Sequence, residues 1–132
     1  MSVTVRFPER FNMADYFLYD RITVDGLGEK TALLYGERTY SYSDVVKRSY
    51  AVAHALRAAG VRQEERVYIV LPDTPPFAWS FFGALTMGSV VAMGNPVAGA
   101  DSLAYVLEYS RATALITTSE VVDALSEQIQ NS

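Results

Sequence analysis

The chain reads RVYIVLPDTPPFAWSFFGALTMGSVVAM over residues 66–93. Residues 66–71 are rich in β-branched and aromatic side chains and stop at Pro72, a pattern that predicts a strand. Residues 75–87 begin with proline and are largely apolar, which predicts a helix, and residues 90–93 predict a second strand. Because strands that read as continuous apolar runs are usually buried on both faces, this stretch indicates a parallel sheet with helical crossovers.

The same stretch invites a second interpretation, a membrane-spanning helix, because residues 74–100 contain no charge. A spanning helix needs about 20 consecutive and predominantly apolar residues. Here Gly83, Gly88, Gly94 and Pro96 interrupt the run, and a pair of prolines opens it. Its flanking residues are Asp73 and Asp101, so no positive charge marks an inner side of a membrane. The sequence therefore favours a buried helix followed by a buried strand, with no membrane contact.

The alternation of helices and strands continues toward the C-terminus. Residues 101–110 predict a helix, residues 114–118 a strand, and a final helix is expected to start near Val121. Helices that alternate with short apolar strands are typical of α/β proteins. We therefore predict a mostly parallel sheet with helices on both faces, and we assign residues 1–132 to one such α/β unit.

A small hairpin is predicted before the parallel sheet. Residues 31–35 and 38–41 favour strands, and only Gly36 and Glu37 separate them. Gly at the first position of a two-residue loop suits a type II′ turn.

The next helix carries both of its end signals in the sequence. Ser41 and Asp44 form an S-x-x-D variant of the capping box, so the helix is expected to start here and to run to about Ala59. Gly60 then provides the residue that adopts a left-handed cap without steric cost. Apolar and small residues three and four apart predict one buried stripe. This stripe consists of Val45, Ser49, Val52, Ala53 and Leu56.

A shorter helix is predicted near the N-terminus. Residues 1–10 lack an apolar core of the kind found in signal peptides, and we expect an irregular leader. Asn12 is placed to cap a helix over residues 13–22, because its side chain can accept from the free N–H groups of the first turn. Two glycines within residues 25–28 then break the chain.

Composition narrows the possible functions. The chain of 132 residues has 11 basic and 15 acidic side chains, a net charge of −4, and 12% aromatic residues. This aromatic content opposes intrinsic disorder, and the acidic balance opposes nucleic-acid binding. The chain has no cysteine and one histidine, which excludes disulfides, thiolate zinc sites and multi-histidine metal sites. We expect a cytoplasmic protein.

Polar residues follow three of the predicted parallel strands. The three segments are Pro72-Asp73-Thr74, Gly94-Asn95-Pro96 and Thr117-Thr118-Ser119. Since ligands of open parallel sheets bind beyond the carboxyl ends of the strands, this edge is a candidate site for a polar small molecule. The alternative, which we favour, is helix capping by Asp73, Thr74, Asp101 and Ser119.

No catalytic motif that can be recognised from residue spacing is present. The sequence contains no phosphate loop, no dinucleotide-binding glycine motif and no nucleophile elbow. His54 falls in the middle of a predicted helix, where we expect a surface residue. The bulky residues of helix 75–87 are expected to lie in the core, since a helix that is apolar all round is buried. These residues are Phe77, Trp79, Phe81 and Phe82.

The order of several segments resembles the start of the aryl-CoA ligases, and most of all the benzoate-CoA ligase group. These ligases belong to the adenylate-forming enzymes, with the acyl-CoA synthetases, the peptide-synthetase adenylation domains and the luciferases. The resemblance extends over about residues 11–123 and includes two segments similar to the first and second core motifs of the family. The similar segments are FNMADYFL (11–18), KTAL (30–33), GERTYSY (36–42), TYSYSDV (39–45), GVRQEERV (60–67) and FFGALTMGSVVAMGNP (81–96).

The resemblance implies a fragment of a larger enzyme. Such a parent activates an aromatic carboxylic acid with Mg-ATP to an acyl-adenylate and transfers the acyl group to coenzyme A. The family's phosphate loop, acid-binding segments and catalytic lysine follow later in the chain, so we assign no catalytic, cofactor-binding or metal-binding residue here. In some aryl-CoA ligases a basic residue after Asn-Pro contacts the coenzyme A nucleotide, whereas this chain has Val97.

Two other functions remain open from the sequence. The chain could be a complete small α/β module of flavodoxin-like type that binds a ligand or a partner. It could also be a fragment of a peptide-synthetase adenylation domain. As a fragment, it would expose apolar faces and open sheet edges, and we expect it to self-associate as a dimer or a higher oligomer.

Overall fold

The computed structural model describes residues 2–6 and 8–131; Met1 and Phe7 of the predicted leader lie outside them, and the other residues of the leader form no helix or strand. The strands are β1 (Thr31–Tyr35), β2 (Arg38–Ser41), β3 (Arg66–Val70), β4 (Val90–Met93) and β5 (Ala114–Thr117). The helices are α1 (Asp20–Thr23), α2 (Tyr42–Ala58), α3 (Pro75–Thr86), α4 (Ala100–Tyr109) and α5 (Ser119–Gln130), and a π-helical turn (Asp15–Tyr19) precedes α1.

The main sheet is parallel and has β3 at its centre, in the order β4-β3-β5. Side chains of β3 point alternately to two hydrophobic clusters. Val67 and Ile69 belong to the cluster formed with α2 and α3. Tyr68 and Val70 belong to the cluster formed with α4 and α5. All four are almost fully buried, so the predicted parallel sheet with helices on both faces is confirmed.

The predicted hairpin is confirmed with its bounds. β1 and β2 pair antiparallel, and Tyr35 lies opposite Arg38, so the loop has two residues. Gly36 has a φ of +59°, the sign that the first position of a type II′ turn requires. The hairpin forms a separate two-stranded sheet beside α2.

Both ends of α2 are formed as the sequence predicts. Ser41 Oγ accepts from Asp44 N at 3.1 Å, and Asp44 Oδ2 accepts from Ser41 N at 2.9 Å. The hydrogen bond from Ser41 N holds the pKa of the Asp44 carboxyl below its ordinary value. At the other end Gly60 has a φ of +95°, and Val61 N donates to Leu56 O at 3.0 Å, as in a Schellman motif.

The first helix differs from its prediction. Asn12 caps it as expected, since its side chain accepts from Ala14 N at 2.8 Å. However, residues 15–19 form a π-helical turn, not an α-helical one. Tertiary contacts account for the wider turn. Asn12 Nδ2 donates to Leu85 O, and the Tyr19 hydroxyl bonds to Thr86 Oγ1, both at 2.8 Å, so both ends of the segment are tied to the end of α3.

The aromatic residues of α3 are less buried than the sequence predicts. Its fully buried positions are mostly small residues, because α2 crosses α3 closely there. A Cβ atom on Gly83 would lie 2.7 Å from Ser49 O of α2. The bulky side chains are half-buried, and two of them, Phe77 and Phe81, pack against the core cluster; the four are Phe77, Trp79, Phe81 and Phe82.

The long uncharged run of residues 74–100 contains α3 and β4, so the prediction of a helix followed by a strand is confirmed. Among residues 2–6 and 8–131, no helix has the length and apolar character needed to cross a membrane.

Candidate functional site at the carboxyl edge of the sheet

Two adjacent clefts lie where the parallel strands end. The first, which we call the Asn95 cleft, has a volume of about 360 Å³ and brings Asp73 and Asn95 together. The second, the Thr118 cleft, has a volume of about 310 Å³ and lies between the loop after β4 and the start of α5. Pro72 and Pro96 line both clefts. The structure thus assembles two of the three predicted segments around one cleft and places the third beside the next.

The polar side chains of the three segments that follow the strands differ in their hydrogen bonds and exposure. Thr117 Oγ1 donates to Val70 O at 2.7 Å, so this hydroxyl belongs to the sheet and does not line either cleft. Asn95 Oδ1 accepts from Val97 N, and Asn95 O accepts from Ala98 N, both at 3.0 Å. These bonds make the loop after β4 a compact turn. Asp73 is exposed at the mouth of the Asn95 cleft.

The expectation that these residues cap helices is correct only for the position of Thr74. Thr74 occupies the N-cap position of α3, but its hydroxyl donates to Pro72 O at 3.3 Å and caps nothing. The reason is that the first two residues of α3 are prolines, which have no N–H, and the N–H of the third residue, Phe77, donates to Thr74 O at 2.9 Å.

The predicted caps of α4 and α5 are wrong. Gly99, and not Asp101, is the N-cap of α4, because the helix begins at Ala100. Thr118, and not Ser119, is the N-cap of α5; its hydroxyl accepts from Val121 N at 3.4 Å. Ser119 is already helical there, since the helix begins two residues earlier than the sequence predicted.

The electrostatic character of the edge does not suit a nucleotide. The described residues that line the two clefts include the acids Asp73 and Glu120 but no lysine or arginine. Phosphate groups bind to cations and to converging N–H donors, and Mg²⁺ binds to clustered carboxylates. No group of three or more acidic or histidine side chains within residues 2–6 and 8–131 could hold a metal ion. Val97 is 86% exposed and offers no charge. The residues present therefore do not fit Mg-ATP or the coenzyme A phosphates.

A third cleft was not foreseen from the sequence. It has a volume of about 240 Å³ and lies between the hairpin and the start of α3. Asp73 lines this cleft as well as the Asn95 cleft, together with Leu33, Leu34 and Tyr35 of β1. No local signal predicts this placement, because it depends on how the hairpin packs against a helix about 40 residues away in sequence. His54, as expected, is exposed on α2 and lines none of these clefts.

A parallel sheet covered on both faces, with clefts at its carboxyl edge, defines an open α/β unit. Residues 21–132 match the family described as AMP-binding enzyme. The chain belongs to this family, and the resemblance to adenylate-forming enzymes is confirmed.

Several relatives of the chain are aryl-CoA ligases. A 4-hydroxybenzoate–CoA/benzoate–CoA ligase of Rhodopseudomonas palustris is 34% identical over 117 residues, which are 89% of this chain and 22% of that protein. A 3-hydroxybenzoate–CoA/4-hydroxybenzoate–CoA ligase of Thauera aromatica is 33% identical over 121 residues, 91% of this chain and 23% of that protein. The chain thus spans less than a quarter of the length of these relatives.

Solved structures agree with this assignment. A benzoate CoA ligase from Burkholderia xenovorans LB400 superposes with a TM-score of 0.82 at 29% identity, over 93% of this chain and 24% of that one. An anthranilate CoA ligase in complex with anthranoyl-AMP superposes with a TM-score of 0.85 at 26% identity, over 95% of this chain and 24% of that one.

Proposed function

We propose that this chain is the N-terminal part of an ATP-dependent aryl-CoA ligase that acts on an acid of the benzoate or aminobenzoate type. The parent would form an acyl-adenylate and then an acyl-CoA. The observation that carries the proposal is the 34% identity to a 4-hydroxybenzoate–CoA/benzoate–CoA ligase over 89% of this chain. The similarity to the fold of an anthranilate CoA ligase, whose substrate is an aminobenzoate, supports the second substrate type. A cytoplasmic location is part of the proposal.

The proposal is tested on the native gene product. An intact mass several times the 14.6 kDa of this chain is expected. ATP–pyrophosphate exchange on that longer protein should then depend on benzoate or an aminobenzoate. A native mass of 14.6 kDa, or exchange that no aromatic acid supports, would contradict the proposal.

We propose that the 132-residue chain is inactive by itself, because the described residues at its carboxyl edge offer no cation to a phosphate. We expect no exchange activity and no change in Tm with ATP, benzoate or coenzyme A. A ligand present at about a hundred times its Kd would stabilise the chain by about 2.7 kcal/mol, which corresponds to a Tm increase of several degrees. Flavin serves as a further probe, since a flavin-dependent shift would favour a self-contained binding module.

A peptide-synthetase parent is the second candidate. A linear gramicidin synthase of Brevibacillus parabrevis is 28% identical over 102 residues, 77% of this chain and 1% of that protein. Such a parent would exchange pyrophosphate with amino acids, not with aryl acids, and would load a carrier protein in place of coenzyme A. The exchange panel therefore includes both acid types.

The isolated chain is expected to self-associate through its sheet edges. β4 and β5 are the two edge strands of the parallel sheet, and Val90 and Met93 on β4 are 49% and 57% exposed. Unpaired edge strands favour pairing with another chain, and lysine on an edge opposes it. Light scattering after gel filtration should give at least twice 14.6 kDa.

Matched variants locate the contact. The double variant Val90→Lys/Met93→Lys should be monomeric, whereas Val24→Lys, at an exposed position outside the sheet, should leave the association unchanged. A monomeric unsubstituted chain at high concentration would disprove this expectation.

A further inference from the structure

The large side chain of Tyr68 on β3 lies next to Gly94, which has no side chain, at the end of β4. Tyr68 is paired with Ala92 in the register of β3 and β4, and Gly94 follows two residues later on the same face. A Cβ atom at position 94 would overlap the Tyr68 hydroxyl and would lie 2.8 Å from its Cζ atom. The phenol ring therefore occupies the space that a side chain at position 94 would fill.

Gly94 is also the first residue of the loop that lines both clefts. Gly94 N donates to Ile69 O at 2.9 Å, which ties the start of the loop to β3. The turn closed by Asn95 comes directly after it. Gly94 and Asn95 line the Asn95 cleft, and Val97 and Ala98 line the Thr118 cleft. Any displacement of Gly94 away from the sheet would thus move the walls of both clefts.

Tyr68 is held firmly enough to support this loop. Its side chain is only 1% exposed and packs in the cluster formed by β3, α4 and α5. Its hydroxyl makes no hydrogen bond to the described residues, so the ring is placed by packing. Burial raises the pKa of the Tyr68 phenol above its ordinary value.

We propose that Tyr68 is a positioning residue for the carboxyl edge of the sheet. Its ring fits only because position 94 has no side chain. The ring therefore sets the distance of the loop of residues 94–98 from the sheet, and this distance sets the shape of both clefts. This inference goes beyond the ligase assignment and does not depend on which reaction the parent protein catalyses.

The test measures hydrogen exchange at the two ends of the β3–β4 pair. The amide of residue 94 donates to Ile69 O at one end, and the amide of Val90 donates to Glu65 O at the other, both at 2.9 Å. Gly94→Ala should accelerate exchange at residue 94 by about 5- to 150-fold, the range that corresponds to typical overpacking. Exchange at Val90 should stay within about twofold, because the displacement is local.

A second substitution provides the rescue. Tyr68→Leu removes the ring, so Tyr68→Leu/Gly94→Ala should exchange more slowly at residue 94 than Gly94→Ala alone. Tyr68→Phe is the matched control. It keeps the ring and removes a hydroxyl that makes no hydrogen bond to the described residues, so exchange at both amides should stay close to that of the unsubstituted chain.

Three results would overturn the proposal: equal acceleration at residues 90 and 94, no acceleration at either amide, or no rescue in the double variant. If Gly94→Ala alone does not fold, recovery of a folded protein in the double variant supports the proposal, and an unfolded double variant contradicts it.

Discussion

Ile69→Ala is expected to destabilise the protein by about 2–5 kcal/mol, the range found for truncation of a buried isoleucine. Ile69 lies in the centre of β3 and is 0% exposed. It is paired with Met93 on one side and with Ile116 on the other. Its side chain lies in the cluster between the sheet and the α2–α3 layer, so the truncation leaves a cavity that rigid neighbours on several elements cannot fill.

Urea unfolding at a single protein concentration measures this loss. Ile69→Val should cost only about 0.5–1.5 kcal/mol and remains measurable if the alanine variant is largely unfolded. Ile129→Ala is the matched control, because Ile129 is 59% exposed near the end of α5 and its truncation should cost no more than about 0.5 kcal/mol. Equal losses at residues 69 and 129 would show that the centre of the sheet is not the core of the protein.

Gly83→Ala is expected to destabilise the protein by about 1–3 kcal/mol through overpacking. The direction of this change is informative, because alanine in the middle of a helix normally stabilises a protein by about 1 kcal/mol relative to glycine. At position 83 the added Cβ atom would lie 2.7 Å from Ser49 O and 2.7 Å from the Cβ atom of Val52. The first of these atoms belongs to the backbone of α2, so the two helices would have to separate.

The free energy of unfolding and the Tm of the Gly83→Ala variant test this expectation. Gly83→Ser should behave in the same way, since it adds the same Cβ atom. Val52→Ala combined with Gly83→Ala should recover only part of the loss, because it removes the contact with Val52 Cγ1 at 2.8 Å, whereas the contacts with the Ser49 carbonyl and with the Cβ atom of residue 52 remain. An increase in stability for Gly83→Ala would mean that α2 and α3 do not pack this closely.

The same helix contact explains a buried hydroxyl that has no partner. Ser49 Oγ is buried and makes no hydrogen bond within the described residues. A buried polar group without a partner costs free energy, so the hydroxyl itself does not stabilise this position, where the Ser49 backbone lies close to Gly83 of α3. Small size, and not polarity, therefore accounts for serine in the buried stripe of α2.

Much of the fold could be predicted from local signals. The hairpin has its predicted bounds because the loop of Gly36 and Glu37 has a length and a conformation that only a tight turn satisfies. The start of α2 follows from Ser41 and Asp44, whose capping bonds join residues three apart. The family could also be predicted, because the motifs that carry the resemblance are stretches of contiguous sequence.

The candidate site was predictable only in outline. Strand ends are readable in the sequence, so Asp73 and Asn95 could be placed at one edge. The roles of individual side chains could not be predicted. Thr117 bonds to the neighbouring strand, and Ser119 lies inside α5 and does not cap it. Whether a hydroxyl bonds to a neighbouring strand, caps a helix or lines a cleft depends on partners that lie far away in sequence or on a helix start that shifts by two residues.

The order of the elements, the hairpin, the caps of α2 and the membership of the AMP-binding family follow from local sequence, because these depend on residues that are neighbours in the chain. The tertiary structure alone decided the π-helical turn at residues 15–19, the half-buried aromatic side chains of α3 and the fit of Tyr68 beneath Gly94. Each of these depends on how closely two distant segments approach, and that distance is set by the packing of the whole core.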